Sequence, residues 1–191
     1  EYHERLLKRF PTLSSMADSS VDDVLLLWQG AGYYSRARRL HALSIEVVEA
    51  HGGVLPKTYE ELLKLPGIGP YTAAAVASIA YSEPVACVDG NIRRVMARQS
   101  NQEKPSMKDV QRFADKHLVI DAPSEWNQAM MELGALVCKP RNPICDQCPV
   151  AETCSGRSRP HELPRPKTTK KTTVEYNCIV RIDENGAPEL Q

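Results

Sequence analysis

Leu65-Pro66-Gly67-Ile68-Gly69-Pro70-Tyr71-Thr72-Ala73 joins the end of one predicted helix to the start of the next. Pro66 ends the first helix, and Pro70 suits the first position of the second. Gly67 and Gly69 allow backbone angles that side chains forbid. The turn therefore directs bare N–H groups at a helix N-terminus towards solvent, where they bind an anion such as a nucleic-acid phosphate. An ordinary tight turn between two helices is the alternative.

Four of the six cysteines lie together, with the spacing Cys138-x6-Cys145-x2-Cys148-x5-Cys154. Zinc ribbons usually have two separated Cys-x2-Cys pairs, whereas this segment has one pair flanked by single cysteines. The spacing therefore favours a 4Fe–4S cluster held by four thiolates, with zinc as the alternative. Such cysteine usage suits a reducing compartment better than a disulfide framework does.

Asp89 stands in the stretch Val88-Asp89-Gly90-Asn91, directly before a predicted helix. Aspartate is a preferred N-cap residue, so the simplest interpretation of Asp89 is a helix cap. A second interpretation, in which the carboxylate takes part in chemistry, depends on what surrounds it. The sequence leaves both open.

The hairpin, the aspartate and the cysteine spacing, in this order, resemble the helix–hairpin–helix DNA glycosylase superfamily, and most of all its adenine DNA glycosylase (MutY) family. The resemblance runs from about residue 1 to about residue 182. It implies that Gly67 and Gly69 approach a DNA phosphate. It also implies that Asp89, supported by a hydrogen bond from Asn91, faces C1′ of a flipped nucleotide and stabilises an oxocarbenium-like state.

The resemblance also gives the cysteine loop a role. It implies that Cys138, Cys145, Cys148 and Cys154 hold a 4Fe–4S cluster, which shapes the loop, since glycosidic hydrolysis moves no electrons.

Tyr71 distinguishes two branches of the superfamily. In the endonuclease III branch this position is a lysine, whose amine attacks the sugar as a Schiff-base nucleophile. A tyrosine forms no such adduct, so the chain resembles a glycosylase without the lyase step. Tyr71 is then expected to pack near the extruded nucleotide, and a surface aromatic at a helix start is the alternative.

Two more positions match the family. Tyr33 aligns with a wedge residue that intercalates beside 8-oxoguanine, and Glu132 aligns with a carboxylate that contacts the adenine edge. The alternatives are a core tyrosine and a solvated helix acid. The family's proton donor, a glutamate in an N-terminal helix, has no match in residues 1–191. We therefore expect the chain as given to be inactive.

The apolar periodicity predicts an all-α body of short helices. Ser20, Ser106 and Ser124 are predicted N-caps, and the spacing of Thr58 and Glu61 predicts a capping box before the hairpin.

Composition changes after the cysteines and predicts three regions. Residues 1–154 form the helical glycosylase core, with the cluster loop at 138–154. Residues 155–173 form a basic, proline-containing linker. Residues 174–182 alternate as a strand does, and the resemblance assigns 174–191 to the start of a truncated C-terminal domain that recognises 8-oxoguanine.

The chain has 24 basic and 24 acidic residues, so its total charge does not indicate a nucleic-acid partner, and a basic surface must be local. No apolar segment approaches the length of a membrane span.

The resemblance predicts a monomeric intracellular enzyme, cytoplasmic in a bacterium and nuclear or mitochondrial in a eukaryote. The resemblance implies that the intact enzyme removes adenine from double-stranded DNA with A:8-oxoG or A:G mispairs. Two alternatives are a pyrimidine-damage glycosylase of the endonuclease III type and a non-catalytic helix–hairpin–helix DNA-binding module.

Overall fold

The structure, a computed structural model, describes residues 2–165 and 173–175. The regular secondary structure of these residues is helical, which confirms the predicted all-α fold. The strand predicted at 174–182 and the C-terminal domain predicted at 174–191 lie outside the described residues, apart from residues 174 and 175. The described α-helices are α1 Tyr2–Arg9, α2 Leu13–Ala17, α3 Val21–Trp28, α4 Tyr34–His51, α5 Tyr59–Leu62, α6 Pro70–Tyr81, α7 Gly90–Gln99, α8 Met107–His117 and α9 Pro123–Glu132.

Two of the predicted N-caps are confirmed as full capping boxes. Ser20 Oγ accepts the Asp23 N–H at 3.1 Å at the start of α3. Ser106 Oγ accepts the Asp109 N–H at 3.2 Å at the start of α8. In each pair the aspartate carboxylate accepts the N–H of the serine, so two free donors of the helix terminus are satisfied.

The prediction of Ser124 as the N-cap of α9 is wrong. The N-cap is Ala122, two residues earlier, and the helix begins at Pro123 because the fixed φ of proline suits the first helical position. Ser124 Oγ instead accepts a hydrogen bond from the Gln128 side chain at 3.0 Å. The short helix α2, which the periodicity did not predict, has its own capping box between Thr12 and Ser15.

Helix α6 lies between two clusters of buried hydrophobic residues. Ala74 belongs to a cluster with residues of α7 and α8, and Ala73 and Ala77 belong to one with residues of α4 and α5. Alanine side chains end at Cβ, so neighbouring elements pack close to this helix on both sides. The helix that begins at the hairpin is therefore fixed against the segment that leads to Asp89.

A buried amide joins three segments of the core. Asn127 on α9 is fully buried, and its Nδ2 donates to Ser78 Oγ at 2.9 Å and to the Val85 carbonyl at 3.0 Å. Its Oδ1 accepts the Cys87 N–H at 2.8 Å. The amide thus satisfies one backbone acceptor and one backbone donor of the segment that leads to Asp89.

The first part of the predicted linker packs against the helical body. The Gly156 N–H donates to the Arg98 carbonyl at 2.8 Å, and Leu163 is buried. A Cβ on Gly156 would lie 2.5 Å from the Arg98 oxygen and 2.6 Å from Leu163 Cδ1, so only glycine fits there. Residues 166–172 of the linker lie outside the described residues.

Of the described helices, none combines the length and apolar character that a membrane crossing requires.

Candidate active site and cysteine loop

The hairpin lies between α5 and α6. Thr58 Oγ1 caps α5 by accepting the Glu61 N–H at 3.3 Å, as predicted. The Glu61 carboxylate accepts from the Thr58 hydroxyl at 2.8 Å instead of from its backbone N–H, so half of the predicted capping box forms. Helix α5 ends at Leu62 after a single turn, ahead of the predicted stop at Pro66.

The two hairpin glycines differ in backbone conformation and in the space around them. Gly67 has φ 79°, and a Cβ there would lie 2.7 Å from Arg39 Cβ, so both conformation and space require glycine. Gly69 has φ −96°, and a Cβ there would meet nothing within 4 Å. The prediction that Gly69 needs angles forbidden to side chains is therefore wrong, and its bare Cα leaves room for close approach from outside.

Helix α6 begins at Pro70 with no side-chain cap, as the motif predicts. No described residue accepts the N–H of Tyr71 or of Thr72. Both groups lie at the positive end of the helix dipole, next to the glycines of the turn. This is a site that can bind an anion through backbone donors.

Asp89 combines the cap and the support that the sequence predicts. It is the N-cap of α7, with Oδ1 accepting the Ile92 N–H at 2.8 Å. Its Oδ2 accepts from Asn91 Nδ2 at 2.9 Å. Two donors thus fix a half-buried carboxylate at the positive end of α7.

Arg94 connects Asp89 to the cysteine loop, and the sequence analysis did not identify it. Its Nη2 donates to Asn91 Oδ1 at 2.8 Å and to the Gly134 carbonyl at 2.6 Å, and its Nε donates to the Cys138 carbonyl at 2.7 Å. Burial lowers the pKa of the guanidinium. Its position three residues after Asn91, which places both on one face of α7, is the sequence feature that could have identified it.

Tyr71 contacts α9 and lies within range of the charge of Asp89. The residue is 41% exposed, and its hydroxyl donates to Met131 Sδ at 3.2 Å. Burial, and then the charge of Asp89, raise the pKa of the phenol. Both effects keep the proton on the hydroxyl, so this residue is a neutral hydrogen-bond donor. Nothing in the sequence pointed to Met131 as its partner. Glu132, the next residue, is exposed, and its predicted contact with a base stays a prediction.

Tyr33 is not a core tyrosine, so that alternative is wrong. It is 82% exposed and stands at the N-cap of α4 with φ 48°, in the left-handed region that side chains rarely adopt. The turn before it is held by a bond from Trp28 Nε1 to the Gly32 carbonyl at 2.8 Å.

The four cysteines of the loop line one common cavity. All four are free thiols, and Cys145 begins a short 3₁₀ turn that ends before Cys148. Burial, and more weakly the charges of the other three, raise the pKa of the Cys154 thiol. A positively charged group among the thiols therefore suits this site.

The set of four thiols also bears on which metal group this cavity can hold. No three metal-binding side chains in the described residues converge closely enough to hold a single ion. Four thiols around one shared cavity are the donor set that a 4Fe–4S cluster takes from a protein.

Arg98 clamps the backbone on both sides of this cavity. It is 3% exposed, and its Nη1 donates to Cys138 Sγ at 3.3 Å and to the Lys139 carbonyl at 2.7 Å. Its Nε donates to the carbonyls of Pro160 and Leu163 at 2.8 and 3.0 Å. One buried guanidinium thus joins the first cysteine to the segment after the last.

Two family profiles match the chain. The profile of the HhH-GPD superfamily base excision DNA repair protein matches residues 1–118. That of the iron–sulfur binding domain of endonuclease III matches residues 138–154, which contain all four cysteines. The second match confirms the predicted 4Fe–4S cofactor.

Individual proteins give the same family. The adenine DNA glycosylase of Homo sapiens is 44% identical over 164 residues, which are 83% of this chain and 30% of that protein. The chain spans about a third of the length of its mammalian relatives. The structure of a thermostable thymine-DNA glycosylase matches with a TM-score of 0.77 at 25% identity, over 82% of this chain and 75% of that one. A non-covalent endonuclease III–DNA complex matches with a TM-score of 0.73 at 26% identity, over 82% and 74%.

Proposed function

We propose that this chain, which belongs to the HhH-GPD superfamily of base excision DNA repair proteins, is the helical core of an adenine DNA glycosylase. The observation that carries the proposal is Asp89 at the start of α7, a carboxylate fixed by two donors and near enough for its charge to raise the pKa of Tyr71 in the hairpin's second helix. The similarity to a relative named adenine DNA glycosylase supports adenine as the base.

The proposed reaction hydrolyses one N-glycosidic bond. The hairpin N–H groups bind a phosphate, and the target nucleotide leaves the stack. The bond between C1′ and adenine breaks, adenine takes the electron pair and a proton, and the hydroxide of a water molecule adds to C1′. Asp89 stabilises the positive charge of the sugar in the transition state. The product is an abasic site.

Tyr71 separates this proposal from the lyase reaction. A protonated phenol has no amine and forms no Schiff base with the sugar, so we expect an abasic product without strand cleavage. The thymine-DNA glycosylase and endonuclease III matches share the fold of this chain. A pyrimidine-damage glycosylase is therefore the second candidate, and the released base distinguishes the two.

The finer assignments follow from the family resemblance. We propose that the DNA carries adenine opposite 8-oxoguanine or guanine, that Tyr33 is the wedge, that Glu132 contacts the adenine edge, and that the enzyme acts as a monomer. The exposure of Tyr33 supports the wedge role. Cys138, Cys145, Cys148 and Cys154 would hold the cluster, which when bound ties their loop together.

The test is single-turnover release of adenine from a duplex with adenine opposite 8-oxoguanine, by the full-length, cluster-loaded protein. Asp89→Asn should lower the rate by at least about 10²-fold, because it removes a positioned charge from a cationic transition state, while DNA binding survives. Asp109→Asn is the matched control, since it changes a carboxylate at the start of α8. A parental rate in Asp89→Asn, or release of a pyrimidine instead of adenine, would refute the proposal.

A further inference from the structure

Helix α4 carries three exposed arginines, Arg36, Arg38 and Arg39, and the structure distinguishes them. Arg36 and Arg39 line a groove of about 260 Å³ between α4 and the hairpin, and Arg38 does not. The hairpin side of this groove is formed by Pro66, Gly67, Ile68 and Thr72.

Among the residues that the structure describes, the two groove arginines have no acidic partner. The Arg36 guanidinium lies over the Trp28 ring, 5.8 Å from its centroid. In a chain whose charges balance overall, this is a local positive site of the kind that a polyanion recognises.

The groove is continuous with the open N-terminus of α6. Thr72 lines the groove, and its N–H is one of the two that no described residue accepts. The stem of Arg39 packs against Gly67, since a Cβ on this glycine would lie 2.7 Å from Arg39 Cβ and 3.2 Å from its Cδ. The arginine is therefore seated directly beside the turn.

We propose that Arg36 and Arg39 bind successive phosphates of the DNA strand that the hairpin holds, so that the phosphate path runs from α6 along α4 towards Tyr33. This inference rests on the proposed function, because it takes duplex DNA as the ligand. Tyr33, Arg36 and Arg39 follow one another at intervals of three residues. Tyr33 and Arg39 are thus about 9 Å apart along the helix axis, which equals the rise of between two and three nucleotides of one strand.

The test is the salt dependence of binding to an undamaged duplex, with the full-length, cluster-loaded protein. The variants are R36M with R39M, which keep the aliphatic stems and remove both charges, and R38M as the matched control. Each lost phosphate contact lowers the slope of log affinity against log salt by about 0.9. We expect the double variant to lose a slope of about 2 and, at 0.1 M salt, on the order of tenfold in affinity per arginine.

R38M should keep the parental slope, and R36K with R39K should stay near it because the charges remain. An unchanged slope in the double methionine variant, or an equal loss in R38M, overturns this inference and leaves the glycosylase proposal intact. A parent that does not bind duplex DNA overturns both. Circular dichroism of each variant confirms that a changed slope comes from a folded protein.

Discussion

Gly134 lies where the cysteine loop meets the Asp89 site, and Gly134→Ala tests how tightly the two are joined. The residue is buried in the π-helical turn Leu133–Val137, and a Cβ there would lie 2.5 Å from Asn91 Cβ and 3.1 Å from its Cα. One of these neighbours is backbone, so no side-chain rotation can relieve the contact. Asn91 must move, and its hydrogen bond to Asp89 must lengthen or break.

The magnitude is bounded by three contributions, and the expected loss lies in the middle of their combined range. Overpacking a core position costs about 1–3 kcal/mol. Loss of a hydrogen bond to a charged group costs about 1.5–3 kcal/mol. Alanine in place of glycine returns about 0.4–1 kcal/mol by restricting the unfolded chain. We therefore expect the free energy of unfolding to fall by about 2–5 kcal/mol.

Gly90→Ala is the matched control. Gly90 directly follows Asp89, and a Cβ there would meet nothing within 4 Å. The same substitution should stabilise the protein here by about 0.4–1 kcal/mol. Urea unfolding of the cluster-loaded proteins measures both changes, and single-turnover base release should fall in Gly134→Ala. The reasoning is refuted if Gly134→Ala unfolds within 1 kcal/mol of the parent, or if both variants lose stability equally.

Three other substitutions test the same region. Asn127→Leu leaves the buried Cys87 N–H and the part-buried Val85 carbonyl unpaired, so urea unfolding should show a loss of about 2–6 kcal/mol. Ser78→Ala should lose less, and equal losses would contradict this. Gly156→Ala forces a Cβ against the Arg98 carbonyl, so iron per chain after dialysis against a chelator should fall, and parental retention would contradict the packing. If residue 71 faces the sugar as proposed, Tyr71→Lys adds an amine there, and the borohydride-trapped adduct with abasic DNA should exceed that of the parent. A folded, DNA-binding variant without such an increase would show that residue 71 does not face the sugar.

The parts of the site that the sequence predicted depend on local signals. The start of α6 follows from Pro70, and the cap at Asp89 with its support from Asn91 depends on residues at most three positions apart. The spacing of the cysteines is likewise a property of one short segment. Such features can be predicted from the sequence because short-range geometry alone determines them.

The connections between these parts were not predictable, because they join residues that are distant in the chain. The bond from Arg98 to the Pro160 carbonyl spans 62 residues, and that from Cys87 to Asn127 spans 40. Arginine and asparagine are usually exposed, so nothing in their sequence neighbourhoods marked these two as buried. Only the packing of α7, α9 and the cysteine loop brings their partners within reach.

Tyr33 shows how the structure adds to a role suggested only by resemblance. A left-handed backbone at a residue with a side chain costs about 1–3 kcal/mol. Burial of an aromatic side chain could offset that cost, but Tyr33 is 82% exposed. The described chain offers no cap bond there either, because the N-cap side chain makes none at the start of α4. The surrounding turn holds this conformation, since Trp28 Nε1 donates to the Gly32 carbonyl at 2.8 Å and the Tyr33 carbonyl accepts the Arg36 N–H at 2.8 Å. The exposed side chain, one turn before Arg36 and the groove, is free to take the proposed wedge role, in which it would stack between bases of a bound duplex.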